Sequence, residues 1–184
     1  MISAFALAID FVLAVEGGFV NDPQDPGGKT KFGISAAAFP GLDIEKLTEK
    51  EAVAIYWTAY AEPIQFEKLA DISEVIAIVT FDAAVHHGPQ QAIRFLQVAA
   101  GMANGGLDGK IGPRTLAAVE QMVQLDEEEL LTRMHTERLM FFHNLVVQDP
   151  DRHKFLKGWF RRVVLLNTTQ TMNFEVELEN DPTH

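Results

Sequence analysis

The chain has no cysteine among its 184 residues. That excludes a disulfide scaffold, thiol catalysis and cysteine-bound zinc. It assigns no compartment, because cysteine-free proteins work on both sides of a membrane. Basic residues are scarce: 15 Lys and Arg stand against 26 Asp and Glu, a formal charge of −11. A nucleic-acid partner is not expected, since such a protein needs a basic face to neutralise phosphates. Electrostatic docking on anionic lipid is disfavoured for the same reason. No apolar run reaches the ~18–20 residues that span a bilayer, so membrane insertion is not expected. No Lys or Arg precedes Lys29, and Asp10 interrupts the N-terminal apolar stretch. A secretory leader needs a positive start and an apolar core. The N-terminus therefore reads as a buried amphipathic helix, made in the cytoplasm without a signal peptide. Internal repeats are missing, as is any linker long enough to separate independent domains.

What is present is the composition of a folded globular protein, 47% apolar and 22% charged. The length suits one domain, or two small lobes sharing a core. A first helix is expected over Ser3 to Glu16, stopped by Gly17-Gly18. On its wheel Phe5, Ile9, Val12 and Glu16 share a side, so Glu16 continues an apolar stripe. Residues 19–34 are dense in Pro, Gly, Asp and Asn and cannot be helix. Phe19-Val20 and Lys29–Phe32 around a turn at Asp25-Pro26-Gly27-Gly28 predict a small β-hairpin. Thr48 and Glu51 form a capping box opening a helix to Tyr60. Ser73 caps a strongly apolar helix ending at His87-Gly88-Pro89. Further helices are expected from Gln90 to Ala100, from Pro113, from Asp126 to Val147, and from Arg152 to Asn167. After Thr168 come four acids and no base, read as a mobile acidic tail.

One stretch carries chemistry. Glu16 ends an apolar stripe, Asp22 and Asp25 follow on a Gly- and Pro-shaped loop, and Thr30 comes after them. Acid-catalysed glycoside cleavage needs such a set. One carboxyl in an apolar setting stays protonated near neutral pH and donates a proton. A second, solvated carboxylate stays ionised and orients water or stabilises an oxocarbenium-like centre. The Thr30 hydroxyl could hold that water. Taken alone, E-x8-D-x4-T is equally a surface glutamate beside a polar turn.

The segment Glu16 to Ile34, EGGxxxDPxDPGGxTxxGI, resembles the signature of glycoside hydrolase family 108, N-acetylmuramidases of phage endolysins and of bacterial proteins described as secretion activators. Three further motifs resemble the family's C-terminal region, often named a peptidoglycan-binding domain, and follow in its order. They are Phe81–Gly88 with Leu96-Gln97, Asp108–Pro113, and Lys157–Val163. The resemblance covers Ala4 to Asn167. It implies a mainly α (α+β), lysozyme-like fold with a small N-terminal β-hairpin lobe. It implies hydrolysis of the β-1,4 bond between N-acetylmuramic acid and N-acetylglucosamine in bacterial peptidoglycan. Glu16 falls on the family's catalytic glutamate. Phage-type lysozymes more broadly use a Glu, Asp, Thr triad. Asp25 keeps the first spacing of that triad and Thr30 falls one residue short of the second. Asp22 is a competing carboxylate, or an Asx-turn residue ahead of Pro23. Relatives usually carry Asn where His86 stands, facing the sugar. His86 keeps hydrogen-bonding capacity and adds a titratable group; its alternative role is at the helix dipole.

Tyr56 and Trp57 are core residues or a sugar-stacking platform. No metal is expected: His86 and His87 point about 100° apart on a helix, His135 and His143 are eight residues apart, and no H-E-x-x-H occurs. The expectation is thus a catalytic lobe over 1–70, a helical lobe over 71–167 and a tail over 168–184. Glu16, Asp25 and Thr30 are its catalytic residues; Asp22, Tyr56, Trp57, His86 and His87 contact substrate. The protein is expected to be a cofactor-free, inverting monomer that acts on the wall in the periplasm, exported by a holin or a dedicated secretion system. A lytic transglycosylase and a non-catalytic wall-binding or secretion-assisting protein are the alternatives.

Overall fold

The computed structural model describes residues 3–16 and 29–179; the side chains of Glu16, Asn104 and residues 169–179 stand outside that description. The described chain is mostly helical with one two-stranded antiparallel sheet. It divides into two compact units, 1–92 and 93–184.

The first unit opens with α1, Ala4–Glu16. Ser3 starts it by accepting the Ala6 N–H at 3.2 Å. Two residues of the expected stripe are buried, Ile9 at 5% exposure and Val12 fully, while Phe5 is half-buried and Asp10 exposed. The chain then forms β1, Thr30–Lys31, and β2, Ile34–Ser35, and later α2, Glu49–Tyr56, and α3, Phe66–Ala70. The Thr48–Glu51 capping box is present with both reciprocal bonds. The helix it opens is not α-helical to Tyr60, however. Trp57–Ala61 is a π-turn, in which the Glu62 N–H reaches the Trp57 carbonyl at 2.9 Å. Packing decides this: the wide turn keeps Trp57 edge-on against Phe5, 4.8 Å between centroids, with Ala61 fully buried.

Helix α4, Glu74–His87, is strongly apolar, and Ile76 to Ala84 are buried without a break, Thr80 and Asp82 included. Such a helix must be enclosed. It packs against α1 and α3, so it belongs with the N-terminal elements and not with a lobe starting at residue 71. Phe81 is its centre, with the rings of Phe5, Phe66 and Tyr56 edge-on around it at 5.4, 5.9 and 6.5 Å. The N-terminus of α4 is capped by Ser73, whose Oγ accepts the Ile76 N–H at 3.1 Å in a buried setting. Ser73→Ala should therefore lower unfolding free energy by about 1 kcal/mol in urea titration. A change within error would mean that water replaces the cap.

The described hairpin turns at a place other than Asp25–Gly28. Phe19-Val20 and the Asp25–Gly28 turn lie outside the described residues. Within the described residues the strands pair as Thr30 with Ser35 and Lys31 with Ile34. That leaves a two-residue turn, Phe32-Gly33, with φ of 53° and 74°. Two positive φ values define the tight turn whose twist suits a hairpin. Glycine adopts it freely, whereas a left-handed Phe costs about 1–3 kcal/mol.

The second unit takes in most of α5, Pro89–Ala99, then α6, Pro113–Gln148, and α7, His153–Glu179. Gly101, at φ 75°, follows the end of α5. Helix α6 is broken at Asp126, whose φ and ψ are −166° and 93°. Its carboxylate accepts the Glu129 N–H at 2.9 Å, so the second half starts on its own cap, as the sequence signals. Trp159 stacks on Phe142 at 4.9 Å and joins α7 to α6. Phe160 is not an equivalent anchor, being 37% exposed. Helix α7 continues to Glu179, past the expected end at Asn167. No Gly or Pro interrupts residues 159–181, so nothing stops propagation there.

Candidate active site

Glu16 is the last residue of α1, one turn beyond the buried Val12 on the same stripe. Asp22 and Asp25 lie outside the described residues. Thr30 is described: it sits in β1, half-buried, opposite Ser35.

The hairpin that carries Thr30 is tied down at three points. Lys29 pairs with Glu45 at 2.6 Å, an exposed contact worth little by itself. Glu45 also holds the Lys29 ammonium above the usual lysine pKa. Lys31 Nζ donates to the Glu45 carbonyl at 3.0 Å. The third tie comes from the core. The Tyr56 hydroxyl donates to the Phe32 carbonyl at 2.9 Å. Tyr56 is 2% exposed. A ring so covered cannot stack on a sugar, so its expected part as a substrate contact is corrected to one in the core. The contact of its ring with Phe81 of α4 places the phenol; its hydroxyl takes a partner, as a buried tyrosine usually must.

Trp57 is half-buried and lines a surface groove with Glu62, Gln65, Phe66 and Lys68. His86 and His87 form the last turn of α4, both half-buried, with ring centroids 4.7 Å apart. Gly88 follows at φ 82° and turns the chain into α5. His135 is buried at 8% exposure, whereas His143 is exposed. Among the described residues no three His, Asp or Glu side chains converge as a metal site requires.

The second unit carries a polar clasp at Leu96-Gln97 and Asp108–Pro113. The Gln97 side chain is fully buried. Its Nε2 donates to Asp108 Oδ1 at 2.8 Å, the Lys110 carbonyl at 3.1 Å and Thr115 Oγ1 at 3.2 Å. Its Oε1 accepts the Gly109 N–H at 3.0 Å. Gly109 has φ 71°, which a side chain would strain. The Gln97 bond, then the Lys110 N–H, hold the Asp108 carboxyl below its ordinary value.

Two of these roles escaped the sequence. Tyr56 reads as generic aromatic, because its partner is 24 residues away. The turn at Phe32-Gly33 had a local signal, a glycine two residues after Lys31, but Asp25-Pro26-Gly27-Gly28 carried a stronger one.

Comparison with known proteins agrees with the resemblance. The family model "Glycosyl hydrolase 108" matches residues 9–88, and "Predicted Peptidoglycan domain" matches residues 91–164. The solved structure of SagA from Brucella abortus is similar, with a TM-score of 0.74 and 30% identity, covering 90% of this chain and 92% of that one. A comparison with curated protein sequences finds no match. Among the described residues no helix is long and apolar enough to cross a membrane. With the lysozyme-like, mainly helical architecture, a glutamate ending α1 and both family models in order, the chain belongs to glycosyl hydrolase family 108 and is a glycoside hydrolase that acts on peptidoglycan.

Proposed function

We propose that the enzyme cleaves the β-1,4 bond between N-acetylmuramic acid and N-acetylglucosamine by general acid catalysis with inversion. The observation that carries this reading is Glu16 at the C-terminal end of α1, one turn past a fully buried Val12. The apolar stripe that Glu16 continues in the sequence is what would disfavour its charged carboxylate. The negative end of the helix dipole acts in the same direction. Glu16 is then the proton donor to the glycosidic oxygen. Asp25 stays ionised on its loop and accepts a proton from water as that water attacks the anomeric carbon from the opposite face. Asp22 is a contact on the same loop. The Thr30 hydroxyl, on the tethered hairpin, orients the water. His86 and His87 at the end of α4, with Trp57, contact the glycan. No cofactor takes part.

Inversion requires room for water between the two carboxyl groups, about 6.5–9.5 Å. Retention through a covalent intermediate would need only ~5 Å. Mass spectrometry of digested peptidoglycan, with NMR of the first-formed anomer, tests both points. The expected products end in reducing muramic acid with inverted configuration. A 1,6-anhydro end would identify a lytic transglycosylase instead. The enzyme is proposed to work as a monomer in the periplasm, reached through a holin or a dedicated secretion system. Its acidity favours recognition by sugar contacts over charge attraction to an anionic envelope.

A further inference from the structure

We propose that Tyr56 is a positioning residue for the reaction: its buried hydroxyl selects the left-handed Phe32 turn and so fixes the strand that presents Thr30. The proposal rests on the reading of Thr30 as the water-orienting group. Three observations meet here. Phe32 has φ 53°, a conformation that phenylalanine avoids, at the first central position of the turn. Its carbonyl takes the Tyr56 hydroxyl at 2.9 Å. Tyr56 itself is held by core packing, at 2% exposure, with its ring edge-on to Phe81.

The hairpin cannot hold itself. Each strand has two residues, and an isolated hairpin of that size is marginal in water. The lysine contacts of Lys29 and Lys31 are exposed and yield to salt. An Asn-Gly turn would adopt the needed φ values by local preference. This chain has Phe-Gly, so the preference must come from elsewhere. Tyr56 supplies it from α2, which packs on into the π-turn that begins at Trp57. The direction of the bond matters. A carbonyl turned toward Tyr56 sets the peptide plane between Phe32 and Gly33, and the paired Lys31 and Thr30 follow with it.

The test uses the full chain and soluble glycan strands. Tyr56→Phe keeps the ring and removes only the hydroxyl. Its kcat should fall about fivefold, what one net hydrogen bond is worth, with KM little changed. Hydrogen exchange at the Ala36 amide, which bonds to the Lys29 carbonyl across the hairpin, should speed up by a similar factor. Adding Phe32→Asn to Tyr56→Phe should recover most of both losses, because Asn accepts the left-handed turn without the tether. A tyrosine needed only for core packing would not be rescued by a change in the turn. Unchanged kcat and exchange in Tyr56→Phe overturn the proposal, as does a loss that Phe32→Asn leaves in place. Thr30→Val is the separate control. If it is as active as the parent, the reading of Thr30 falls, and exchange at Ala36 still decides whether Tyr56 holds the turn.

Discussion

Glu16→Gln is expected to slow clearance of purified peptidoglycan by about 10²- to 10⁴-fold. The amide keeps the shape of the carboxyl and can still hydrogen-bond to a sugar. It cannot deliver a proton to the leaving oxygen, so the loss should fall on kcat rather than on KM. A hundredfold loss corresponds to about 2.7 kcal/mol of transition-state stabilisation. Stability should barely change. The buried stripe of α1 ends at Val12, and Glu16 closes the helix, where a carboxylate opposes the helix dipole. Turbidity clearance and thermal unfolding measured on the same preparation separate the two effects. A variant that clears wall as fast as its parent would sink the general-acid role, and with it the mechanism built around Glu16.

Gln97→Leu is expected to cost about 3 kcal/mol of unfolding free energy. Leucine fills a similar volume but satisfies none of the polar groups around it. The buried Gly109 N–H loses its acceptor, and Asp108, Lys110 and Thr115 lose a shared donor. The loop from Gly101 to Gly112 then keeps only its local bonds, such as the Lys110 N–H to Asp108, and loses the one side chain that joins its parts. A second measurement reports the bond itself. Asp108 is held below its ordinary value chiefly by Gln97. A depressed carboxyl contributes stability above the unfolded aspartate value and loses it as pH falls through the lowered native one. NMR titration of Gln97→Leu should show the Asp108 carboxyl moving back up. A loss below ~1 kcal/mol in urea, with the Asp108 titration unmoved, would mean that the clasp contributes little.

Much of this molecule could be read from local pattern. Ser73, Thr48 with Glu51, and Asp126 mark helix starts because each side chain bonds an amide only three residues on. Ile9 and Val12 mark the buried side of α1 because helical spacing brings them together. The hairpin register was not legible. Its turn depends on a residue that prefers another conformation, and turn chemistry pointed to Asp25-Pro26-Gly27-Gly28. Nor was the π-turn, since propensity does not distinguish Trp57–Ala61 from ordinary helix. The extension of α7 through Glu179 follows from the lack of any helix breaker, which outweighs the local acidity.

Most helix starts with their caps, the acid at the end of α1, and the family to which the chain belongs follow from the residues in order. These are short-range properties, or matches of residue type in order. What Tyr56 and Gln97 do follows from packing between distant parts of the chain. Their partners stand 24 residues away in one case and 11 to 18 in the other. Burial makes those partners compulsory, because an unpaired hydroxyl or amide in a core is costly. The packing of α1, α2, α3 and α4 brings the phenol to the turn, and the turn accepts a strained Phe32 in return. Local preference alone would not have chosen that conformation, and it is the one on which the position of Thr30 depends.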